Sequence, residues 1–161
     1  MRVIEALEPE VVQDYPRPPA LERVALRLRV VLGGETVADS TRGWRVCETH
    51  HAPTYYIPAE DVTPGALTPA QGSSFCEWKG RATYWDVTAG GLTWPRAAWS
   101  YPGPTGGFAP IAGHLAFYPG QMDECWVGET RVTPQPGDFY GGWVTPNLEG
   151  TVKGGPGTRW W

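Results

Sequence analysis

The run "SFCEWKGRATYWDV", residues 74 to 87, sets a thiol (Cys76), an ammonium (Lys79), two indoles (Trp78 and Trp85) and a phenol (Tyr84) close together. Those residue types suit the capture of an anion. An ammonium is a compact cation on a flexible stem, and aromatic rings give it apolar, π-rich walls. "AAWSYPGP" (97–104) adds Trp99 and Tyr101. In an extended chain these two point the same way and can meet Trp78 and Tyr84 across a cleft. A third run, "CETHHAPTYY" (47–56), supplies Glu48, His50, His51, Tyr55 and Tyr56, groups suited to acid–base work. Cys47 and His50 are spaced as half of a metal site, which is complete only if Cys76, Cys125 or His114 converges on them.

Of 13 basic residues only Lys79 and Lys153 are lysine, and each adjoins glycine, in "WKG" and "VKGG". These two positions call for an ammonium rather than the wider guanidinium. "KGGPGT" (153–158) is not a phosphate loop, because its lysine precedes the glycines and no helical pattern follows. It reads as tail structure.

The elements that must hold these groups are strands. "VALRLRVVL" (24–32) alternates Val24, Leu26, Leu28, Val30 and Leu32 against Arg27 and Arg29, the pattern of a half-buried strand. Gly33-Gly34 supplies a two-residue hairpin turn, "ETVADS" returns, and "GWRVCET" follows as a third strand. Pro53 and Pro58 mark "HHAPTYYIPAEDV" as an ordered loop. "SFCEWKG" and "RATYWDV" read as a strand pair continuing through Gly90-Gly91 into "LTW". "RAAWSYP" reads as a helical turn, and "HLAFYP" with "DECWV" as a closing hairpin around Pro119-Gly120. Were the opening run a regular strand, Cys76, Trp78 and Gly80 would share one face and Lys79 the other. Cys76 and Lys79 are then not neighbours, and a lysine-activated thiolate requires a bulge near Gly80.

Glycine (21) and proline (17) make about a quarter of the 161 residues, roughly twice the usual share, which means turns in quantity. With 12% aromatic residues the chain is still rich enough in large side chains to fold. A net charge of −4 with scattered basic residues argues against nucleic acid as partner. No apolar run approaches the roughly 20 residues that span a bilayer, and "MRVIEALEPE" lacks the apolar stretch of a secretory signal, so the cytoplasm is the expected compartment. Three cysteines without a CxxC pair read as reduced thiols.

The stretches "ETHHAPTYYIPAEDV", "FCEWKGRATYWDV", "AAWSYPGP" and "PIAGHLAFYPG", in that order, resemble the bacterial family called domain of unknown function 427, over about Val24 to Val127. The resemblance implies a β-tent-like fold, two antiparallel sheets packed at an angle with a cleft between them, and it points to a role for Lys79. Relatives in that fold hold zinc through CxxC knuckles, which this chain lacks. The family is sometimes labelled nucleotidyltransferase-like, a reading that here requires Mg²⁺ and clustered carboxylates from Glu48, Glu60, Asp61 and Asp86.

The expectation is an all-β protein: an N-terminal arm (1–20), a β-tent-like domain (21–128) and a Gly/Pro/aromatic-rich extension (129–161) that wraps the body. Phe139, Tyr140, Trp143, Trp160 and Trp161 are its anchors. Between the sheets lies a pocket for a small molecule, walled by Tyr56, Trp78, Tyr84, Trp99 and Tyr101, with Lys79 and His51 as polar anchors. No metal and no cofactor is implied. The competing classes are a structural or protein-interaction domain and a nucleotidyltransferase-like enzyme.

Overall fold

The computed structural model describes residues 2–137, 139–155 and 157–158. The expected anchors Trp160 and Trp161 lie outside the described residues. Val24, Leu28, Val30 and Leu32 are fully buried, as their alternation predicts, but they belong to two strands rather than one. β1 (Ala20–Val24) and β2 (Leu28–Leu32) lie in different sheets. Gly33 and Gly34, both at positive φ, turn the chain into β3 (Glu35–Ser40), which returns antiparallel to β2. A primed turn of this kind favours residues without a Cβ.

β4 (Gly43–Cys47) pairs antiparallel with β1, and β5 (Thr54–Tyr56) closes that sheet at its edge. The "HHAPTYYIPAEDV" segment is therefore not wholly loop. Pro53 and Pro58 bracket a three-residue edge strand instead of excluding one, because an edge needs ladder donors on one side only.

β6 (Leu67–Cys76), β7 (Gly80–Ala89), β8 (Leu92–Ser100) and β9 (Leu115–Phe117) form an antiparallel sheet in the order β9-β8-β7-β6. Here "RAAWS" is strand, not a helical turn. The β8 ladder is interrupted between Trp94 and Ala98, with Arg96 at φ 50°, and resumes with Trp99 opposite Tyr84. β10 (Glu124–Val127) pairs with β2, not with β9, so the expected hairpin around Pro119-Gly120 is a crossing between sheets through a short 3-10 turn.

Among the described residues, ten strands of three or more residues thus fall into three four-stranded sheets, two of them completed by Val3–Ile4 beside β1 and Thr130–Arg131 beside β10. Among the described residues there is no α-helix, and the longest helical piece is the 3-10 segment Gly106–Ile111. The expected all-β class of mainly antiparallel sheets is what the chain adopts, with three four-stranded sheets and two two-stranded ones among the described residues where two sheets were expected. The extension joins this body directly. Trp143 is fully buried in the main core, stacks 5.1 Å from Tyr55, and donates its indole N–H to the Phe117 carbonyl. Leu148–Glu149 pairs with Glu10–Val11 of the arm.

Candidate functional site

The residues Glu77, Trp78 and Lys79 are not strand at all. They are the turn between β6 and β7, where Cys76 pairs with Gly80. Face alternation therefore stops before Lys79. Thr105 clasps this turn, its backbone N–H donating to the Lys79 carbonyl and its hydroxyl to the Trp78 carbonyl. The clasp folds the lysine inward. Lys79 is only 8% exposed, with Nζ 5.6 Å from the centroid of Tyr101 and 5.8 Å from that of Phe108. Among the described residues no carboxylate lies within ion-pair distance of it.

Lys79 faces a cavity of about 390 Å³. One wall is β4 and β5 through Val46 and Thr54, and another is β6 to β8 through Ser74, Ala82, Tyr84 and Trp99. The third side is the extension, through Gln135, Tyr140 and Lys153. Phe75 and Phe139, both largely exposed, stand at the rim. Gly141 shows how closely the extension lies: a Cβ there would sit 2.1 Å from the Trp99 ring. Both lysines of the chain line this one cavity, and Lys153 Nζ stands 5.7 Å from the centroid of Tyr140.

Of the residues singled out from sequence, His51, Lys79, Tyr84, Trp99 and Tyr101 line the cavity. Tyr56 and Trp78 do not. Tyr56 is 1% exposed beneath it, 6.3 Å from Tyr101, where it packs with Val46 and Ile111. Trp78 is half-buried against the same cluster. Burial pushes the Tyr101 phenol well up, with a further push from the neighbouring Cys76, so it is a neutral hydroxyl at the cavity wall. Ser74 and Tyr84 share a hydrogen bond of 2.7 Å, and the Arg96 guanidinium lies over the Tyr84 ring at 4.2 Å.

The polar end is built from a turn and the extension together. The His51 N–H closes a turn onto the Glu48 carbonyl, which brings His51 Nε2 to 3.2 Å from Glu48 Oε2. Gln135, only 2% exposed, fixes the other ring nitrogen. Its Oε1 accepts from the Ala52 N–H, and its Nε2 donates to the Lys153 carbonyl, so neither end can be reversed. The same Nε2 faces His51 Nδ1 at 3.2 Å, so Nδ1 accepts and the ring proton sits on Nε2, aimed at Glu48. That hydrogen bond is the main reason the Glu48 carboxyl lies below its usual range; burial opposes it, and the charges of Lys79 and Arg17 add to it. With both ring nitrogens engaged, His51 is poorly placed to act as a free base.

The remaining acid–base candidates are dispersed. Asp61 and, more loosely, Glu60 pair with Arg42, and Asp86 accepts from the Arg96 N–H. Cys47 is buried beside Glu22, and Cys125 lies in the main core. Among the described residues no group of three or more His, Cys, Asp or Glu side chains is placed to hold a metal ion. A neighbouring hollow of about 460 Å³ shares Tyr118, Gln135 and Tyr140 but presents prolines and glycines, with no charged side chain among the described residues lining it.

A family described as a domain of unknown function (DUF427) matches residues 20–128. The chain belongs to that family. No curated protein matches it. The DUF427 span contains Glu48, His51, Lys79, Tyr84, Trp99 and Tyr101, but it ends before Gln135, Tyr140 and Lys153. These three were missed as site residues because the extension has no periodicity that places a side chain. The one signal in the sequence was lysine in a chain that otherwise uses arginine.

No helix of the described residues is long and apolar enough to cross a membrane.

Proposed function

We propose that the cavity binds a small organic anion and that Lys79 is its charged anchor. The observation that carries this reading is a lysine, Lys79, only 8% exposed as a residue, with no carboxylate partner among the described residues, on the lining of an aromatic-walled cavity. Burying an ion costs several kcal/mol. Two cation–π interactions return about 0.5–2 kcal/mol each, which leaves the ammonium undercompensated until an anion arrives. Trp99, Tyr101, Tyr118 and Tyr140 supply apolar wall for the ligand's body, and the volume suits a molecule of ordinary metabolite size.

A binding role is favoured over the nucleotidyltransferase-like one because Glu48, Glu60, Asp61 and Asp86 do not converge. A docking surface for another protein is the alternative, and it draws on the exposed rings of Phe75 and Phe139. Thermal shift with phenyl phosphate and 3-(4-hydroxyphenyl)propionate separates the two. A ligand at 100 times its Kd adds about 2.7 kcal/mol. The wild type is expected to gain that stability and Lys79→Met to lose the gain. Equal stabilisation of both proteins, or none in the wild type, overturns the anion reading.

A further inference from the structure

Lys79 is not the only charge that meets this cavity. Glu48 lines it too, and Gln135 leaves His51 no choice but to present its Nε2 proton to Glu48 Oε2. The carboxylate is thereby held as an acceptor. It cannot offer a proton to the ligand's anion, so near that end of the cavity a bare anion meets repulsion and a donor meets attraction. Lys79 in turn helps to keep Glu48 ionised, so the two opposite charges are near enough to feel each other.

We infer that the ligand is amino-acid-like: an aromatic or apolar body whose head carries an acid for Lys79 and an amine for Glu48. This rests on the reading of the cavity as an anion site and adds a second, opposite recognition group to it. An α-amino acid bears the two groups on one carbon, which suits two protein charges that face one small space. The aromatic rings of Trp99, Tyr101 and Tyr140 then surround the side chain. The extension takes part in recognition through Gln135, which holds the tautomer, and Lys153, a second lysine lining the same cavity.

The test uses three matched probes by calorimetry: L-tyrosine, 3-(4-hydroxyphenyl)propionate (the same acid without the amine) and tyramine (the same amine without the acid). Removing either charge-assisted hydrogen bond is expected to weaken binding about tenfold to a hundredfold. In the wild type L-tyrosine should therefore bind tightest. In Glu48→Gln the amine should no longer matter, and in Lys79→Met the acid should no longer matter.

Equal affinity of L-tyrosine and its amine-free analogue in the wild type overturns this inference and leaves the anion reading intact. Indifference to the acid in wild type and Lys79→Met alike overturns both. Failure of all three probes at millimolar concentration overturns the amino-acid class, while phenyl phosphate still judges the anion reading. Nitrogen-15 shifts of His51 give an independent readout: Nε2 protonated and Nδ1 bare in the wild type, with that preference lost in Gln135→Leu. A protonated Nδ1 in the wild type overturns the inference.

Discussion

Among the described residues this protein buries two cations, Arg45 and Lys79, and treats them oppositely. Arg45 on β4 is 1% exposed and fully answered: its guanidinium bonds Glu10 at 2.9 and 2.5 Å and Glu22 at 2.8 Å, with Tyr15 and Arg2 completing the network. Lys79 is 8% exposed and, among the described residues, answered only by two rings. The next residue on β4, Val46, faces the cavity, so the one strand has a closed polar network on one face and a wall of the candidate site on the other. A cation whose charge is matched from within the chain holds the fold together. One that is left unmatched marks where something from outside belongs.

The comparison breaks most visibly at Arg45. Arg45→Met leaves the largely buried Glu10 and Glu22 to the longer contacts of the exposed Arg2, 3.4 Å each, and removing one partner of such a network costs about 3–5 kcal/mol. Urea unfolding at pH 7 is expected to show a loss of that order, and a loss below about 1 kcal/mol would show the network to be ornamental.

Gly141 comes next, since it governs how closely the extension approaches Trp99. Gly141→Ala places a methyl 2.1 Å from the ring, and relieving that overlap costs about 1–3 kcal/mol. Displacement of the extension is also expected to weaken probe binding. Unchanged stability and unchanged binding together would show that the extension does not form a wall of the cavity.

Acid distinguishes the closed network from its broken form. Burial pushes the Glu10 carboxyl up, but hydrogen bonds and charge from Arg45, with help from Tyr15 and Arg2, bring it below its ordinary 4.5. Glu48 is likewise lowered, by His51 first. A carboxyl whose folded value is depressed contributes its stability in full above the unfolded value and loses it as pH falls through the folded one. Wild-type stability should therefore decline as pH drops below about 4.5. In Arg45→Met the decline weakens. Glu10 keeps its desolvation there and loses the hydrogen bond and charge of Arg45, while Tyr15 and Arg2 remain, so its carboxyl moves up and acidification costs the variant less. Urea midpoints of both proteins between pH 7 and pH 4 check this, and parallel curves would contradict it.

Much of this arrangement is legible in the chain, and what is not has a physical reason. Period-two alternation marks Leu28, Val30 and Leu32 as core, and paired glycines mark the hairpins at 33–34 and 90–91, because both signals are local. The placement of Lys79 is not local. It depends on a three-residue turn clasped by Thr105, so counting faces along a presumed strand points Lys79 the wrong way. Tyr56 and Trp78 carry the same aromatic signature as Tyr84 and Trp99, yet burial beneath the wall separates them from the cavity, and composition cannot tell wall from foundation. "RAAWS" lacks clean alternation because Arg96 sits at a ladder interruption. The extension is legible as an anchor through Trp143 and illegible as a site, since Gln135 and Lys153 act through backbone carbonyls and a histidine far away in sequence.

The smallest expected effect sharpens the comparison most. Lys79→Met keeps most of the stem and removes the charge, so the packing against Tyr101 and Phe108 largely survives. The substitution forfeits two cation–π interactions of about 0.5–2 kcal/mol each. It recovers the cost of holding an ion away from water without a counter-charge, itself several kcal/mol before relaxation. The two nearly cancel, and apolar replacement of a poorly compensated buried ion often comes out neutral or stabilising. Unfolding free energy is therefore expected within about 1 kcal/mol of the wild type, against the several lost at Arg45. A double variant, Arg45→Met with Lys79→Met, should stay within about 1 kcal/mol of Arg45→Met alone, because the two sites share no hydrogen-bond or ion-pair partner among the described residues. If Lys79→Met instead costs as much as Arg45→Met, the lysine is part of the fold's own scaffolding, and the contrast between matched and unmatched cation no longer points to a ligand.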